Sequence, residues 1–335
     1  MLPVLTTNEV TDITSRTAKS GGNITDDGGY SVTERGVVWG IKPNPTISDN
    51  KTSDGAGAGS FTSKLTSLSR ATDYYVRAYA TNINGTVYGT SFVFTTFGNP
   101  NDGHPCLGAS TVTDIDGNVY NTVLIGNQCW MKENLKTTKY SNNTPIENPT
   151  NNSDWQSNTT GAYAWYENDI SWKDSYGALY NWHAVKNYHG LCPTGWHIPT
   201  HDEWKQLIDY IVAYGFPNEK WNLTGTGNAL KSCWQVNSPL GGDCNVTEHP
   251  RWDEDTYYGY DHYGFDEFGF SALPGGARSP NGGFGDVGNS GFWWSSTAGT
   301  VGARSQNMSG IRGHVSSSSN SYRSLGFSVR CLRNN

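Results

Sequence analysis

Forty-three aromatic side chains (13 Trp, 19 Tyr and 11 Phe) are spread through a chain in which only 16% of the residues are charged. Rings at that density, with so little charge to solvate them, have to be buried in packed cores. A disordered chain has the opposite composition. The 40 glycines follow no three-residue period, so a collagen-type helix is excluded. No apolar run approaches the about 20 residues that a membrane-spanning helix requires, and no span is expected. What remains is a soluble, loop-rich, β-dominated protein. Its 335 residues exceed the usual size of one domain, roughly 100–150 residues, and point to two.

Residues 3–97 read as short alternating strands near 4–11, 16–24, 32–40, 59–67, 73–82 and 86–96, punctuated by Gly, Pro, Asn and Asp clusters. Five to seven strands in so short a stretch predict an all-β sandwich over residues 1–97. Tyr74, Val76 and Ala78 fall on one face of the fifth strand, and Trp39 supplies a large inward ring. The pattern Leu68-x-x-x-Thr72-x-Tyr74-x-Val76 resembles the tyrosine corner of fibronectin type III and Ig-like sandwiches. That resemblance implies a Tyr74 hydroxyl bonded back to the loop before it. A spacer role is expected for this module. Residues 98–105, rich in Gly, Pro and Asn, read as a linker, and residues 106–335 as a second, α+β domain.

In that second domain a hairpin is expected over 110–114 and 118–125, turned at Asp116-Gly117. One helix is expected from His201 to Ala213, where Trp204, Leu207, Ile208 and Ile211 recur at helical spacing. Thr200 and Glu203 form the Ser/Thr-x-x-Glu capping box that would start it. His197 and His201 could suggest a metal pair, but Pro199 between them keeps one helical turn from presenting both. Asp114, Asp116 and Asn118 resemble the start of a calcium loop, yet both flanks alternate as strands and Ile125 stands where the closing glutamate belongs. Acidic residues crowd Asp253, Glu254, Asp255, Asp261, Asp266 and Glu267 among Tyr and Phe, where a calcium ion or a sugar could bind. No cofactor is expected, with calcium the one candidate cation. The chain carries no Gly-x-Ser-x-Gly and no phosphate-binding loop, so no catalytic residues are assigned and an enzyme is not expected.

The formal charge is −7, which argues against a nucleic-acid partner. It is unevenly placed. Arg304, Arg312, Arg323, Arg330 and Arg333 give the last 49 residues a balance of +5 with no Asp or Glu, which would suit an acidic partner. All six cysteines lie beyond residue 100 with no Cys-x-x-Cys pair, fitting disulfides and an oxidising compartment rather than zinc.

Seven segments of residues 106–335 together resemble one family. They are Asp114-Ile-Asp-Gly-Asn-Val-Tyr120, Ile125-Gly-Asn-Gln-Cys-Trp-Met-Lys-Glu-Asn-Leu135, Tyr176-Gly-Ala-Leu-Tyr-Asn-Trp182 and Cys192-Pro-Thr-Gly-Trp-His-Ile-Pro-Thr200. Phe270-Ser-Ala-Leu-Pro-Gly-Gly276, Phe292-Trp-Trp-Ser-Ser-Thr297 and Gly326-Phe-Ser-Val-Arg-Cys-Leu-Arg333 complete the set. Their order and spacing are similar to the Fibrobacter succinogenes major paralogous domain, common in surface proteins of Bacteroidetes-type bacteria. The resemblance implies a C-type-lectin-like fold related to the formylglycine-generating-enzyme group, whose Gly-Tyr-Arg-Leu-Pro-Thr-Glu-Ala-Glu-Trp signature resembles residues 195–204. Activity in that group needs a cysteine pair near the C-terminus, where this chain has only Cys331. The lectin-like resemblance implies disulfides, paired as Cys192–Cys331, Cys233–Cys244 and Cys106–Cys129.

Between the strict segments, residues 298–322 hold seven Ser and four Gly with scattered single residues, and residues 278–284 are similarly arbitrary. Strict flanks around such filling resemble the variable proteins of diversity-generating retroelements, which diversify exposed C-terminal positions of a lectin-type scaffold. The resemblance implies a ligand-binding face made of Arg278, Ser279, Asn281, Phe284, Thr300, Val301, Arg304, Gln306, Ser309, Ile311, Arg312, His314, Ser316, Ser318 and Tyr322. Arg304, Ile311, Arg312 and His314 are the expected exposed members, and Met308 and Val315 the inward ones. The expected function is a non-enzymatic adhesin or receptor-binding protein, extracellular or on the cell surface, whose partner is a surface glycan or protein. A formylglycine-type enzyme and a structural surface or phage virion component are the alternatives.

Overall fold

A computed structural model describes residues 1–98, 102–232, 252–253 and 264–334. The chain divides into two compact units, Met1–Pro100 and Asn101–Asn335.

The first unit contains β1 (Val4–Thr7), β2 (Ala18–Asp26), β3 (Glu34–Gly40), β4 (Asn50–Lys51), β5 (Gly59–Leu65), β6 (Asp73–Asn82), β7 (Gly85–Tyr88) and β8 (Phe92–Thr95). They form two antiparallel sheets, β1-β2-β5 and β4-β3-β6-β7, with β8 also paired to β6. Ile24, Phe61 and Leu65 from one sheet and Val37, Trp39, Val76 and Ala78 from the other share one core, so the unit is a fibronectin III-like β-sandwich. The Tyr74 hydroxyl accepts from the Ser69 amide at 3.0 Å, the expected corner. The strand expected over 86–96 is broken into β7 and β8. At the break Thr7 reaches in: its hydroxyl accepts from the Ala78 amide at 2.9 Å, and a side chain on Gly89 would lie 2.5 Å from that hydroxyl oxygen. The strand expected over 4–11 stops at Thr7.

The second unit begins with β9 (Thr111–Thr113), β10 (Val119–Ile125), β11 (Gln128–Met131), α1 (Asn152–Ser157), β12 (Tyr163–Ala164), α2 (Lys173–Tyr176), β13 (Leu179–Tyr180), α3 (Trp182–Val185) and β14 (Trp196–His197). It continues with α4 (His201–Ala213), α5 (Thr226–Leu230), β15 (Gly275–Arg278), β16 (Phe284–Val287), β17 (Ser290–Ala298), β18 (Ala303–Ser309), β19 (Ser316–Ser321), β20 (Phe327–Ser328) and β21 (Leu332–Arg333). One sheet runs β14-β21-β11-β10-β9, the other β12-β13-β20-β17-β15-β16, with β18 on β17 and β19 on β18. Strands dominate, and α4 is the one helix longer than two turns among the described residues.

The hairpin β9–β10 turns as expected, because Asp114 spends its carboxylate on it. Oδ1 accepts from the amides of Asp116 and Asn118 at 3.0 and 2.9 Å, and Oδ2 from Asn118 Nδ2 and the Tyr120 hydroxyl at 2.8 and 2.6 Å. Helix α4 carries the expected capping box: Thr200 accepts from the Glu203 amide, while Glu203 accepts from the Thr200 amide at 2.7 Å. Its apolar face, Trp204, Leu207, Ile208 and Ile211, packs on Trp130, Phe270 and Trp293. Burying each such side chain stabilises the fold by about 1.5–3 kcal/mol.

Four of the seven sequence segments meet at Arg330. Its guanidinium is buried, donates to the Phe270 carbonyl, to Asn134 Oδ1 at 3.1 Å and to the Ser271 carbonyl at 3.3 Å, and lies 4.3 Å from the centre of the Phe270 ring. Trp293 Nε1 donates to the same Asn134 oxygen at 2.9 Å. Disulfides join Cys106 to Cys129 and Cys192 to Cys331, as the resemblance implied. Cys233 and Cys244 lie outside the described residues.

Candidate functional site

The C-terminal face is built from β17 outward. Trp293 and Trp294 are adjacent on β17, so their rings enter opposite cores, Trp293 beside α4 and Trp294 against Phe327 at 4.6 Å. Trp294 Nε1 donates to the Tyr180 carbonyl at 2.7 Å. β18 follows in register, Trp293 opposite Gln306 and Trp294 opposite Ser305, and β19 pairs onto it, Gln306 opposite Ser317 and Ser305 opposite Ser318. β19 therefore forms the outer rim, a strand of sequence Ser-Ser-Ser-Ser-Asn-Ser with residues 317–320 exposed.

The structure places the predicted residues in three groups. Thr300, Val301, Ser318 and Tyr322 are exposed, Val301 at 83% and Tyr322 at 72%. Ser316 is half-buried beside them, donating to Asn307 Oδ1 at 3.3 Å. These gather at the outer strand and at the tip between β17 and β18.

In a second group Arg278, Gln306 and Ser309 are buried, which corrects their expected place on a ligand-binding face, while Ser279 and Phe284 are half-buried and Asn281 is exposed. Arg278 is buried, its guanidinium stacked between Trp155 and Phe284 at 4.4 and 4.8 Å from the ring centres. It donates to the carbonyls of Gly282 and Pro149 at 2.9 and 2.8 Å, and burial pushes its pKa down to about 10. Phe284 packs on the Trp155 cluster and on Tyr166. Ser279 and Asn281 form the tight turn between β15 and β16, with the Ser279 amide donating to the Gly283 carbonyl at 2.7 Å and Asn281 exposed at its tip. Gln306 is buried, accepting from the Ser317 hydroxyl at 2.5 Å. Ser309 is buried, and its carbonyl accepts from Lys231 Nζ at 2.7 Å.

The third group sits at half-buried positions rather than the exposed ones expected: Arg304, Ile311, Arg312 and His314. The turn carrying the last three is latched to the α5 region. Gly313 accepts from the Gly227 amide at 2.7 Å, and the Arg312 carbonyl from Lys231 Nζ at 2.9 Å. His314 is held below the usual histidine range, first by burial and then by Arg312, Lys220 and Lys231. Burial likewise lowers His201, with Arg304 adding to it. Met308 and Val315 are core residues, as expected.

The C-terminal +5 balance is thus not an exposed basic patch. Arg330 is core, Arg304 and Arg312 are half-buried, Arg333 is half-buried and donates to the Leu107 carbonyl at 3.0 Å, and Arg323 alone of the five is exposed, 4.9 Å from the centre of the Trp182 ring. In turn, Ser317, Ser319 and Asn320 belong to the exposed rim and were missed. Their signal is legible: residues 316–321 have no apolar residue at either parity, so the strand has no apolar face to turn to a core.

Among the described residues no three His, Cys, Asp or Glu side chains come together to hold a metal. Glu254, Asp255 and Asp261 lie outside the described residues. Asp266 is turned inward, its carboxyl raised by burial against donations from Ser271. The two histidines flanking Pro199 do not converge on a metal: His197 Nε2 lies 2.8 Å from Glu203 Oε1 and Nδ1 2.7 Å from Asn334 Oδ1. Among the described residues no helix is long and apolar enough to cross a membrane.

The profile of the family described as Fibrobacter succinogenes major domain matches residues 123–333. No curated protein matches the chain. Among solved structures, it is similar to the sensor domain of the anti-sigma factor RsgI4 of Pseudobacteroides cellulosolvens, at 14% identity over 30% of this chain and 98% of that one, TM-score 0.24. It is also similar to a fibronectin III domain of human collagen XX, at 20% identity over 29% and 93%, TM-score 0.22.

Proposed function

This chain belongs to the Fibrobacter succinogenes major domain family, and from that premise we propose that it is an exported, non-enzymatic adhesin or receptor-binding protein. In this reading the β-sandwich is a spacer, and the second unit is a lectin-like head that binds a glycan or protein of another cell's surface. The observation that carries it is the division of labour around β17–β19. Trp293, Trp294, Arg330 and Cys331 of the flanking segments are locked in cores, while Thr300, Val301, residues 317–320 and Tyr322 are exposed, with side-chain hydrogen bonds among them only from Ser317 to Gln306 and from the Val301 amide to Asn320. A surface of small hydroxyl side chains with one exposed Tyr offers adaptable hydrogen bonding around a rigid anchor. Such a face can change residue by residue without unfolding its scaffold, which supports sequence diversification there. Cys331 is held in a disulfide with Cys192, which speaks against a free reactive thiol of the formylglycine-generating kind.

The test is binding of the full chain to fixed bacterial cells and to arrayed surface glycans, with and without calcium, beside the triple variant Val301→Glu, Ser318→Arg, Tyr322→Ala. We expect saturable binding that falls at least about tenfold in the variant, since exposed anchors of this kind contribute on the order of 1–2 kcal/mol each, at an unchanged melting temperature. Undiminished binding by the variant would place the site elsewhere.

A further inference from the structure

A second surface of the same unit is shaped for a small ligand. A groove of about 350 Å³ runs between the 190–198 segment and Ser296 at the end of β17, a size within the range of small-molecule sites, about 300–1,000 Å³. Its wall contains no Asp, Glu, Lys or Arg. The one titratable side chain in it, His197, has both ring nitrogens engaged, by Glu203 and Asn334. A charged ligand would therefore find no partner there.

What the groove does offer is a half-exposed indole, Trp196, and the hydroxyls of Thr194 and Ser296, which make no hydrogen bond to any described residue. Tyr188, two residues before the lining Gly190, is 88% exposed. An exposed ring carries an apolar body and a polar tip, as does the partner it suits. The walls are pinned before any ligand arrives. The Cys192–Cys331 bridge holds one side, and the amides of Ser141, Asn334 and Ser296 donate to the carbonyls of Gly190, Gly195 and Pro199, each at 2.9 Å. A rigid groove loses little entropy on binding.

We propose that this groove binds a neutral pyranose, one sugar face stacking on Trp196 and its hydroxyls meeting Thr194, Ser296 and the backbone of the 190–198 segment. The site is separate from the β19 rim and does not depend on it.

The test uses the full chain with glucose, galactose, mannose and N-acetylglucosamine as probes, and glucuronate as the charged control, read by intrinsic Trp fluorescence and by calorimetry. We expect at least one neutral sugar to saturate with a dissociation constant in the millimolar range and glucuronate not to. Trp196→Ala should abolish the response. Thr194→Arg, at an exposed position that leaves the packing intact, should weaken binding at least about tenfold and keep the melting temperature. The Val301, Ser318 and Tyr322 triple variant should bind the sugar normally, which separates this site from the rim. No saturation by any of the neutral sugars, equal binding of glucuronate, or an unaffected Thr194→Arg variant would overturn the proposal.

Discussion

Two buried arginines decide what single substitutions do to the second unit. Arg278 and Arg330 each replace water with backbone carbonyls and ring faces. Removing Arg278 leaves two carbonyls without a donor and Trp155 and Phe284 without the plane between them. Arg278→Ala is therefore expected to cost about 3 kcal/mol by urea unfolding, with little rescue by Lys, which lacks the planar fork. A loss below about 0.5 kcal/mol would mean the residue is solvated after all. Glu203 works in the opposite direction. Burial raises its pKa, but donations from Thr200 and His197 outweigh this and hold it below the usual glutamate range. Its contribution is present above about pH 4.5 and is lost as pH falls through the lower folded value. Glu203→Gln should flatten the acid limb of the stability curve. His201 and His314, both lowered, favour the neutral form. Stability should fall as pH drops below about 6.5, and replacing both with Asn should remove much of that slope between about pH 7 and 5.

At the scale of elements, α4 and the Asp114 turn were legible because their determinants are local: a cap, an apolar stripe and an Asx turn all lie within a few residues. Thr200→Ala should cost about 1 kcal/mol, measured by thermal unfolding, and an unchanged midpoint would show that the cap is redundant. The longer sandwich strands were readable in order for the same reason, but the two-residue β4 was not. The break between β7 and β8 was not, since it depends on Thr7 approaching from the far end of the unit. Arg278 shows the same limit. Its Arg-Ser-Pro-Asn-Gly-Gly setting reads as an exposed loop, and only the distant Trp155 turns it into core. Gln306 and Ser309 alternate among small polar residues, so period alone gave no sign that α4 and Lys231 cover them. β19 is the converse: single substitutions at the exposed Ser318 and Ser319 should each shift stability by less than about 0.5 kcal/mol.

For the molecule as a whole, the two disulfides close loops of very different span, 139 residues for Cys192–Cys331 and 23 for Cys106–Cys129. Chain-entropy arguments give about 5 and about 3.4 kcal/mol respectively. Replacing the first pair with Ser should thus cost roughly 1.5 kcal/mol more than replacing the second, and the reverse order would show that local strain outweighs loop closure. The wide bridge ties the last strands to the 190–198 segment, so the scaffold beneath the rim is fixed from both ends of the unit. In the proposed reading this scaffold is held constant while the rim is free to vary. Sequencing this gene's 3′ end deeply across natural isolates tests it directly. Substitutions are expected to concentrate at Thr300, Val301, residues 316–320 and Tyr322, with Arg278, Trp293, Trp294, Gln306, Arg330 and Cys331 unchanged. Substitutions spread evenly over rim and core positions, or an invariant rim, would contradict it.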